Sequence, residues 1–308
     1  MRLAVFDLGT NVFNLLLARV SKGECDIKKV IKVGSHIGRD GFRLGALSRE
    51  SIESSIEVLD EMFAQIETFG GADKIKAFAT SAIREASNGE QFVQILRKRY
   101  RMDVEIISGE REAELIYKGI RESILLYNEK VLMLDIGGGS NEFIIADRET
   151  IYWKESFPLG VIRMREIIKP SDPITNEEIK SYESYLDKSL KSLFEQIEIY
   201  KPTLLIGSSG SFDTLRELIF KDDNESLPAM ELPLEMFLTL HRRLLESTRE
   251  ERLSMAGMSP MRVDYMVLGS IFVEYTIRKI GIKELYQSSF SLKEGYMAET
   301  ASSIGVNE

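Results

Sequence analysis

Two stretches of the chain repeat one another at a fixed distance, and a repeat of that size constrains the architecture more than any other feature. Leu3-Ala4-Val5-Phe6-Asp7-Leu8-Gly9-Thr10-Asn11 reads as an apolar strand, an acid and a turn, and Met133-Leu134-Asp135-Ile136-Gly137-Gly138-Gly139-Ser140 reads the same way. Asp7 and Asp135 are 128 positions apart, and so are Gly9 and Gly137. The same offset pairs Leu15-Leu16-Leu17-Ala18 with Phe143-Ile144-Ile145-Ala146, and later Phe78-Ala79-Thr80-Ser81 with Ile206-Gly207-Ser208-Ser209. Three segments in one register describe two related halves. Each half has a strand-turn-strand loop of the phosphate-binding type and a later strand that ends in small hydroxyl residues. At 308 residues the chain is long enough for two domains, expected over 1–125 and 126–308.

Local patterns agree with a duplicated α/β layout. Residues 2–8, 13–20 and 25–33 read as strands joined by short turns, and 130–136, 141–147 and 150–157 repeat them. Further strands are expected at 75–80, 104–107, 203–207 and 284–288. Ser48 is placed to cap a helix that Gly70-Gly71 stops near Phe69. Thr175 and Glu178 form a capping box before a long helix ending near Tyr200. Helices are also expected at 89–100, from Gly109 to about Leu126, at about 210–220, 234–247 and 260–279, and from about 291. The second half carries extra helices, chiefly over 221–260, with a polar loop at 221–229. Strands alternating with helices after an antiparallel meander imply a mixed sheet in each domain.

Composition narrows the class. The apolar runs Val131–Leu134 and Leu204–Ile206 are far too short to span a bilayer. Asp7 stands where the apolar region of a signal peptide would continue. The single cysteine, Cys25, rules out an internal disulfide and a cysteine-based metal cluster. A soluble cytoplasmic protein is expected. A formal charge of −9 argues against a broad nucleic-acid surface, although a local cationic site can still take a small or linear phosphate. Membranes are not expected partners, and a homodimer stays open.

The chemistry-bearing segments are few. In Asp135-Ile136-Gly137-Gly138-Gly139-Ser140-Asn141-Glu142 the glycines let backbone N–H groups approach an anion, and Asp135 ends a strand where it can hold a hard cation. A glycine-rich hairpin with two solvated acids is the alternative, which the duplicate loop disfavours. Glu112 lies at i−4 and i−8 from Ile116 and Ile120, on the inward line of a helix whose apolar stripe includes Ala113, Tyr117 and Ile124. A carboxylate there needs a partner or a purpose; otherwise it is a first-turn acid on the helix dipole. Its replacement by glutamine is expected to leave stability neutral or slightly improved. Glu110, Glu114, Lys118 and Glu122 read as a solvated face. Thr80, Ser81 and Arg84 suit phosphate, or form an ordinary turn with a surface arginine. Gly207-Ser208-Ser209-Gly210-Ser211 opens a helix that can accept an anion, or supplies a simple N-cap at Ser209 or Ser211. His36 and His241 show no catalytic or metal spacing, and Met255, Met258, Met261 and Met266 read as core filler.

As an ordered set these segments resemble the exopolyphosphatase/guanosine pentaphosphate phosphohydrolase family over nearly the whole chain. The likeness rests on Phe6 to Asn11, Ala79-Thr80-Ser81-Ala82-Ile83-Arg84-Glu85-Ala86, Ile107-Ser108-Gly109-Glu110-Arg111-Glu112-Ala113, Asp135 to Glu142, Pro158-Leu159-Gly160, Gly207 to Ser211 and Ser291-Leu292-Lys293-Glu294-Gly295. It implies two actin-like (ribonuclease H-like) domains with a cleft between them, and Mg²⁺-dependent removal of terminal phosphate from polyphosphate or guanosine pentaphosphate. It implies that Glu112 is the base acting on water and that Asp135 and Glu142 serve metal and water, with Asp7 in the metal set. Phosphate binding is expected of Arg84 and of the loops Gly9-Thr10-Asn11, Thr80-Ser81, Gly137-Gly138-Gly139-Ser140 and Ser208-Ser209-Gly210, with Lys293. The family pattern differs in three places: Val12 replaces a serine, Asn141 replaces a threonine, and Gly207 to Ser211 replaces Gly-Thr-Gly-Gly-Thr. A helical C-terminal region like that of longer members is not expected. A hinge is expected near 124–129 and where the last helix returns. Two other classes stay open: an actin-like-fold kinase or ATPase, which release of ADP would reveal, and a catalytically weak phosphate-compound sensor, which binding without turnover would reveal.

Overall fold

The computed structural model describes residues 1–305 apart from 22, 40, 127–128 and 222–226. Most of the polar loop expected at 221–229, and part of the hinge expected near 124–129, therefore lie outside the described residues.

In chain order the elements are β1 (Arg2–Leu8), β2 (Val12–Ser21), β3 (Glu24–Gly34), α1 (Gly41–Leu44), α2 (Arg49–Thr68), β4 (Lys74–Ala79), α3 (Ser81–Glu85), α4 (Gly89–Tyr100), β5 (Asp103–Ile106) and α5 (Gly109–Ser123). There follow β6 (Val131–Ile136), β7 (Asn141–Ala146), β8 (Ile151–Phe157), α6 (Val161–Ile168), α7 (Asn176–Ser189), α8 (Lys191–Tyr200), β9 (Leu204–Ser208) and α9 (Ser209–Phe220). The last are β10 (Ala229–Glu231), α10 (Leu234–Glu246), α11 (Arg249–Leu253), α12 (Met266–Ile280), β11 (Glu284–Ser288) and α13 (Leu292–Gly305). No helix among the described residues is long and apolar enough to cross a membrane.

The chain divides into two compact units, Met1–Glu122 with Leu292–Glu308, and Ser123–Ser291. The first break falls between Glu122 and Ser123, and the last helix, grouped with 126–308 in the expected division, belongs to the first unit. It packs on β1, β2 and β3 of the first unit, burying Leu292, Tyr296, Met297 and Ala301. Its polar side closes on α5, where Arg111 and Lys118 both bond Glu299, so part of the face of α5 read as solvated is covered.

Each unit is built on a mixed sheet. The first runs β3-β2-β1-β4-β5 and the second β10-β11-β9-β6-β7-β8. In both, a three-strand antiparallel meander is joined through its first strand to parallel strands. The repeat extends to irregularities. The meanders shift register between Leu17 and Ala18 in one unit and between Ile145 and Ala146 in the other, which is again the offset of 128. A Cβ on Gly9 would sit 2.8 Å from the carbonyl oxygen of Val12, and one on Gly137 would sit 2.7 Å from that of Ser140.

The strands form because their apolar residues cover both faces. In the first unit Ala4, Phe6, Leu8, Phe13, Leu15 and Leu17 face Leu59, Met62, Ile66, Phe92 and Leu96, with Phe63 stacked between Phe6 and Tyr100. In the second, Leu132, Leu134, Ile136, Phe143 and Ile145 face helices that include Phe212, Phe237 and Phe272. Ser48 caps α2 by accepting from the Ser51 N–H at 3.1 Å, and Gly70 and Gly71 end it at φ 92° and 83°. Thr175 and Glu178 form the capping box. The long helix expected to follow is broken at Leu190, which is fully buried between α7 and α8. Serines at 189 and 192, poor helix formers, flank the break. Met255, Met258 and Met266 are core residues as expected, whereas Met261 is exposed.

Candidate active site

In the second unit, strand pairing lines up one row of polar side chains across the sheet. Ser288 pairs with Ser208, Ser208 with Asp135, Asp135 with Glu142, and Glu142 with Ser156. Directly paired residues share a face. The face is the one opposite Leu132, Leu134 and Ile136, because side chains alternate along a strand. Asp135 and Glu142 are both buried. A single oxygen of Asp135, Oδ2, accepts from three hydroxyls: Ser208 at 2.6 Å, Ser209 at 2.6 Å and Ser291 at 2.7 Å. Glu142 Oε1 accepts from Ser156 Oγ at 2.6 Å. The three hydroxyls fix the orientation of Asp135 through that one oxygen.

Beside this row, the loop 137–140 turns its carbonyls in one direction. The Gly137 carbonyl accepts from Val161 N–H, the Gly138 carbonyl from Ile162 and Arg163 N–H, and the Gly139 carbonyl from Gly160 N–H and Arg163 Nε. In a planar trans peptide the N–H lies opposite the C=O. The N–H groups of Gly138, Gly139 and Ser140 therefore point away from α6, as in an anion-binding nest. Gly160 makes the packing possible, since a Cβ there would sit 2.4 Å from Gly138 C and Gly139 N.

The loop opening α9 places the cap at Ser208, not at the expected Ser209 or Ser211. Ser208 is the N-cap, but its side chain makes no capping bond, because the hydroxyl donates to Asp135. Ser209 begins the helix at φ 70°, a backbone strain on the order of 1–3 kcal/mol. Ser208 and Ser209, expected to bind substrate, thus orient an acid. A Cβ on Gly210 would sit 1.8 Å from Arg262 Nη2, so the glycine admits a guanidinium against the loop. Burial pushes the Arg262 pKa down, opposed by Asp213, Tyr265, Glu217 and Asp135.

The first unit holds the duplicate in altered form. Asp7 pairs with Asn14, the position equivalent to Glu142, and Asn14 Nδ2 donates to Asp7 Oδ2 at 2.9 Å. An amide donor thus stands where the second unit has a second acid. The parallel pairing is also out of step: Asp7 lies opposite Phe78, whereas Asp135 lies opposite Ser208. Thr80, the counterpart of Ser208, donates to the Leu8 carbonyl at 3.3 Å instead, and Ser81 Oγ donates to Glu85 Oε1 at 2.9 Å. Both hydroxyls expected at phosphate are engaged within the unit. The loop 9–11 is braced like its duplicate. The Thr10 carbonyl accepts from Gly38 N–H and the Asn11 carbonyl from Ser35 and His36 N–H.

Glu112 is buried in the first turn of α5, as its place on the apolar stripe requires. Arg84 Nη1 donates to Glu112 Oε2 at 2.8 Å and to the Ile107 carbonyl at 3.0 Å. The arginine expected to grip phosphate therefore also holds the candidate base. Lys293, another expected phosphate contact, pairs with the adjacent buried Glu294 at 3.0 Å.

The order of these loops and acids is that of one family throughout. The Ppx/GppA phosphatase family model matches residues 19–303. The chain belongs to that family. It is 28% identical over 304 residues to exopolyphosphatase 1 of Mycobacterium tuberculosis, across 96% of this chain and 87% of that one. It is 26% identical to exopolyphosphatase 2 of the same organism, across 96% and 97%. The crystal structure of an exopolyphosphatase from Cytophaga hutchinsonii matches with a TM-score of 0.94 and 32% identity over 98% of both chains. That of the Aquifex aeolicus Ppx/GppA family member matches with a TM-score of 0.82 and 26% identity over 99% of this chain and 98% of that one.

Sequence reasoning gave no role to several residues that hold these Ppx/GppA loops and acids in place. Ser291 lies 156 positions from Asp135, Arg262 has no spacing tie to Gly210, and Asn14 and Ser156 become visible once the strands are paired. Gly160 was within reach, since Pro158-Leu159-Gly160 is among the matching segments.

Proposed function

We propose that this chain removes the terminal phosphate of inorganic polyphosphate by hydrolysis. The observation that carries the reading is the Asp135 carboxylate: three hydroxyls hold one oxygen, and Glu142 is its direct cross-strand partner. The names of its exopolyphosphatase relatives support the substrate.

A hard divalent ion such as Mg²⁺ fits this donor set. Oxygen ligands suit it, and it ordinarily binds through one or two carboxylates together with substrate phosphates. Asp135 and Glu142 would hold the ion, which would supply neutralisation of phosphate charge. The N–H groups of Gly138, Gly139 and Ser140 donate to phosphate oxygens and need no reorganisation as charge builds. Glu112 accepts a proton from the attacking water, and Arg84 keeps its carboxylate from turning away. The new bond joins the water oxygen to the terminal phosphorus. The bond to the bridging oxygen breaks, and the chain leaves one phosphate shorter. Positioning and charge dominate such a transfer.

The test is phosphate release from polyphosphate, guanosine pentaphosphate and ATP side by side, with and without Mg²⁺. Mg²⁺-dependent release from polyphosphate is expected. Release from guanosine pentaphosphate alone would replace the substrate, and ADP formed with an acceptor would overturn the reading in favour of a kinase.

A further inference from the structure

Asn11 is buried, with 5% of its surface exposed, and the two ends of its amide differ. Oδ1 lies 2.9 Å from His36 Nδ1, while Nδ2 has no hydrogen-bond partner among the described residues. Leaving a buried donor unsatisfied is unfavourable. An NH₂ group kept in that state beside a braced phosphate-type loop suits an acceptor oxygen brought by a ligand.

His36 belongs to the segment that braces this loop through the Ser35, His36 and Gly38 N–H groups. It sits at φ 51°, a region that histidine, asparagine and aspartate enter more readily than other non-glycine residues. Burial, and secondarily Arg39, lowers its pKa, so the ring is neutral at pH 7 and carries one N–H. The amide oxygen opposite Nδ1 selects the tautomer with the proton there.

We propose that His36 is a positioning residue for substrate: its Nδ1–H holds Asn11 Oδ1 and so aims Asn11 Nδ2 at a phosphate oxygen of the bound chain. The proposal rests on the polyphosphate reading above and deepens it. If the imidazole donor is lost, the amide is free to turn, and turned over it would present its own oxygen to the phosphate.

Substitutions at 36 separate donor from acceptor on one backbone. Asparagine places Nδ2 where the histidine has Nδ1 and tolerates the left-handed conformation. Aspartate has the same shape and tolerance but accepts only. Steady-state kinetics on polyphosphate would compare wild type, His36→Asn, His36→Asp, Asn11→Ala and the double variant Asn11→Ala/His36→Asp, each checked by thermal midpoint. His36→Asn is expected to keep KM within about twofold. His36→Asp is expected to raise KM about tenfold with kcat within about twofold, and to add nothing in the Asn11→Ala background. His36→Gly, which suits the backbone and adds no charge, should raise KM about threefold and stands in if His36→Asp does not fold. Equal KM values for His36→Asn and His36→Asp, or an undiminished effect of His36→Asp without Asn11, would overturn the proposal. An unchanged KM in Asn11→Ala would instead remove Asn11 from substrate binding, and the proposal with it. If wild type releases no phosphate, the function proposed above fails, and calorimetric titration of the same variants with tripolyphosphate decides the role of His36 by Kd.

Discussion

Glu112 and Arg84 illustrate how one contact changes the reading of a residue. By spacing alone Glu112 is an acid on an apolar line, and removing its charge would relieve the fold. The structure instead pairs it with Arg84 at 2.8 Å, both side chains being largely buried. Breaking a buried pair is destabilising because the partner charge remains. Glu112→Gln keeps an acceptor for the guanidinium but not the charge, so its thermal midpoint is expected to fall slightly rather than rise. As a general base its loss should lower kcat by roughly 10²–10⁴-fold with KM little changed. A KM rise in proportion to the loss of rate would make it a positioning group. Asp135 and Glu142 call for a metal titration: Asp135→Ala and Glu142→Ala should each abolish most Mg²⁺-dependent release, with circular dichroism unchanged. Wild-type rates in either variant, at saturating polyphosphate and limiting Mg²⁺, would remove that acid from the metal site.

Elements with strong local signals were legible. Ser48, the Thr175–Glu178 box and Gly70-Gly71 mark helix ends through contacts within a few residues, and the central strands announce themselves by continuous apolar runs. The duplicated loops were legible for the same reason. Features set by distant partners were not. Nothing in Ser208, Ser209 or Ser291 shows that three hydroxyls meet one carboxylate, because the meeting depends on β9 lying two residues further back along β6 than β4 lies along β1. The service of α6 to the glycine loop was equally hidden, and it gives a prediction about packing. In Gly160→Ala the added methyl meets backbone atoms of Gly138 and Gly139 at 2.4 Å, which cannot yield as a side-chain tip can. The loop must shift, so KM for polyphosphate should rise and the thermal midpoint should fall by several degrees, as about 1–3 kcal/mol of overpacking implies. Unchanged kinetics would show that the loop N–H groups are not used.

At the scale of the whole molecule, the chain has two histidines for titration between pH 5 and 7. His241 is buried against Phe237, with Nδ1 3.2 Å from Ser270 Oγ, and burial lowers its pKa. The unfolded chain takes up this proton near pH 6.5, before the folded one does. The contribution is therefore complete above about pH 6.5 and is lost as pH falls toward the folded value. The urea midpoint should drop between pH 7 and 5.5, and His241→Gln should flatten that drop, leaving the slope due to His36. A profile as steep as wild type would show that His241 titrates normally. Glu178 does not interfere, since hydrogen bonds from Ser171, and then from Thr175, hold its pKa down at about 2. The return of α13 to the first unit has a consequence for synthesis. Residues 292–305 supply the cover for β1, β2 and β3, strands synthesised long before them. On the ribosome the second unit has all its sequence earlier, although it begins later. The first unit waits with an uncovered sheet face until that helix leaves the exit tunnel, an interval in which a nascent chain is open to chaperones and to aggregation.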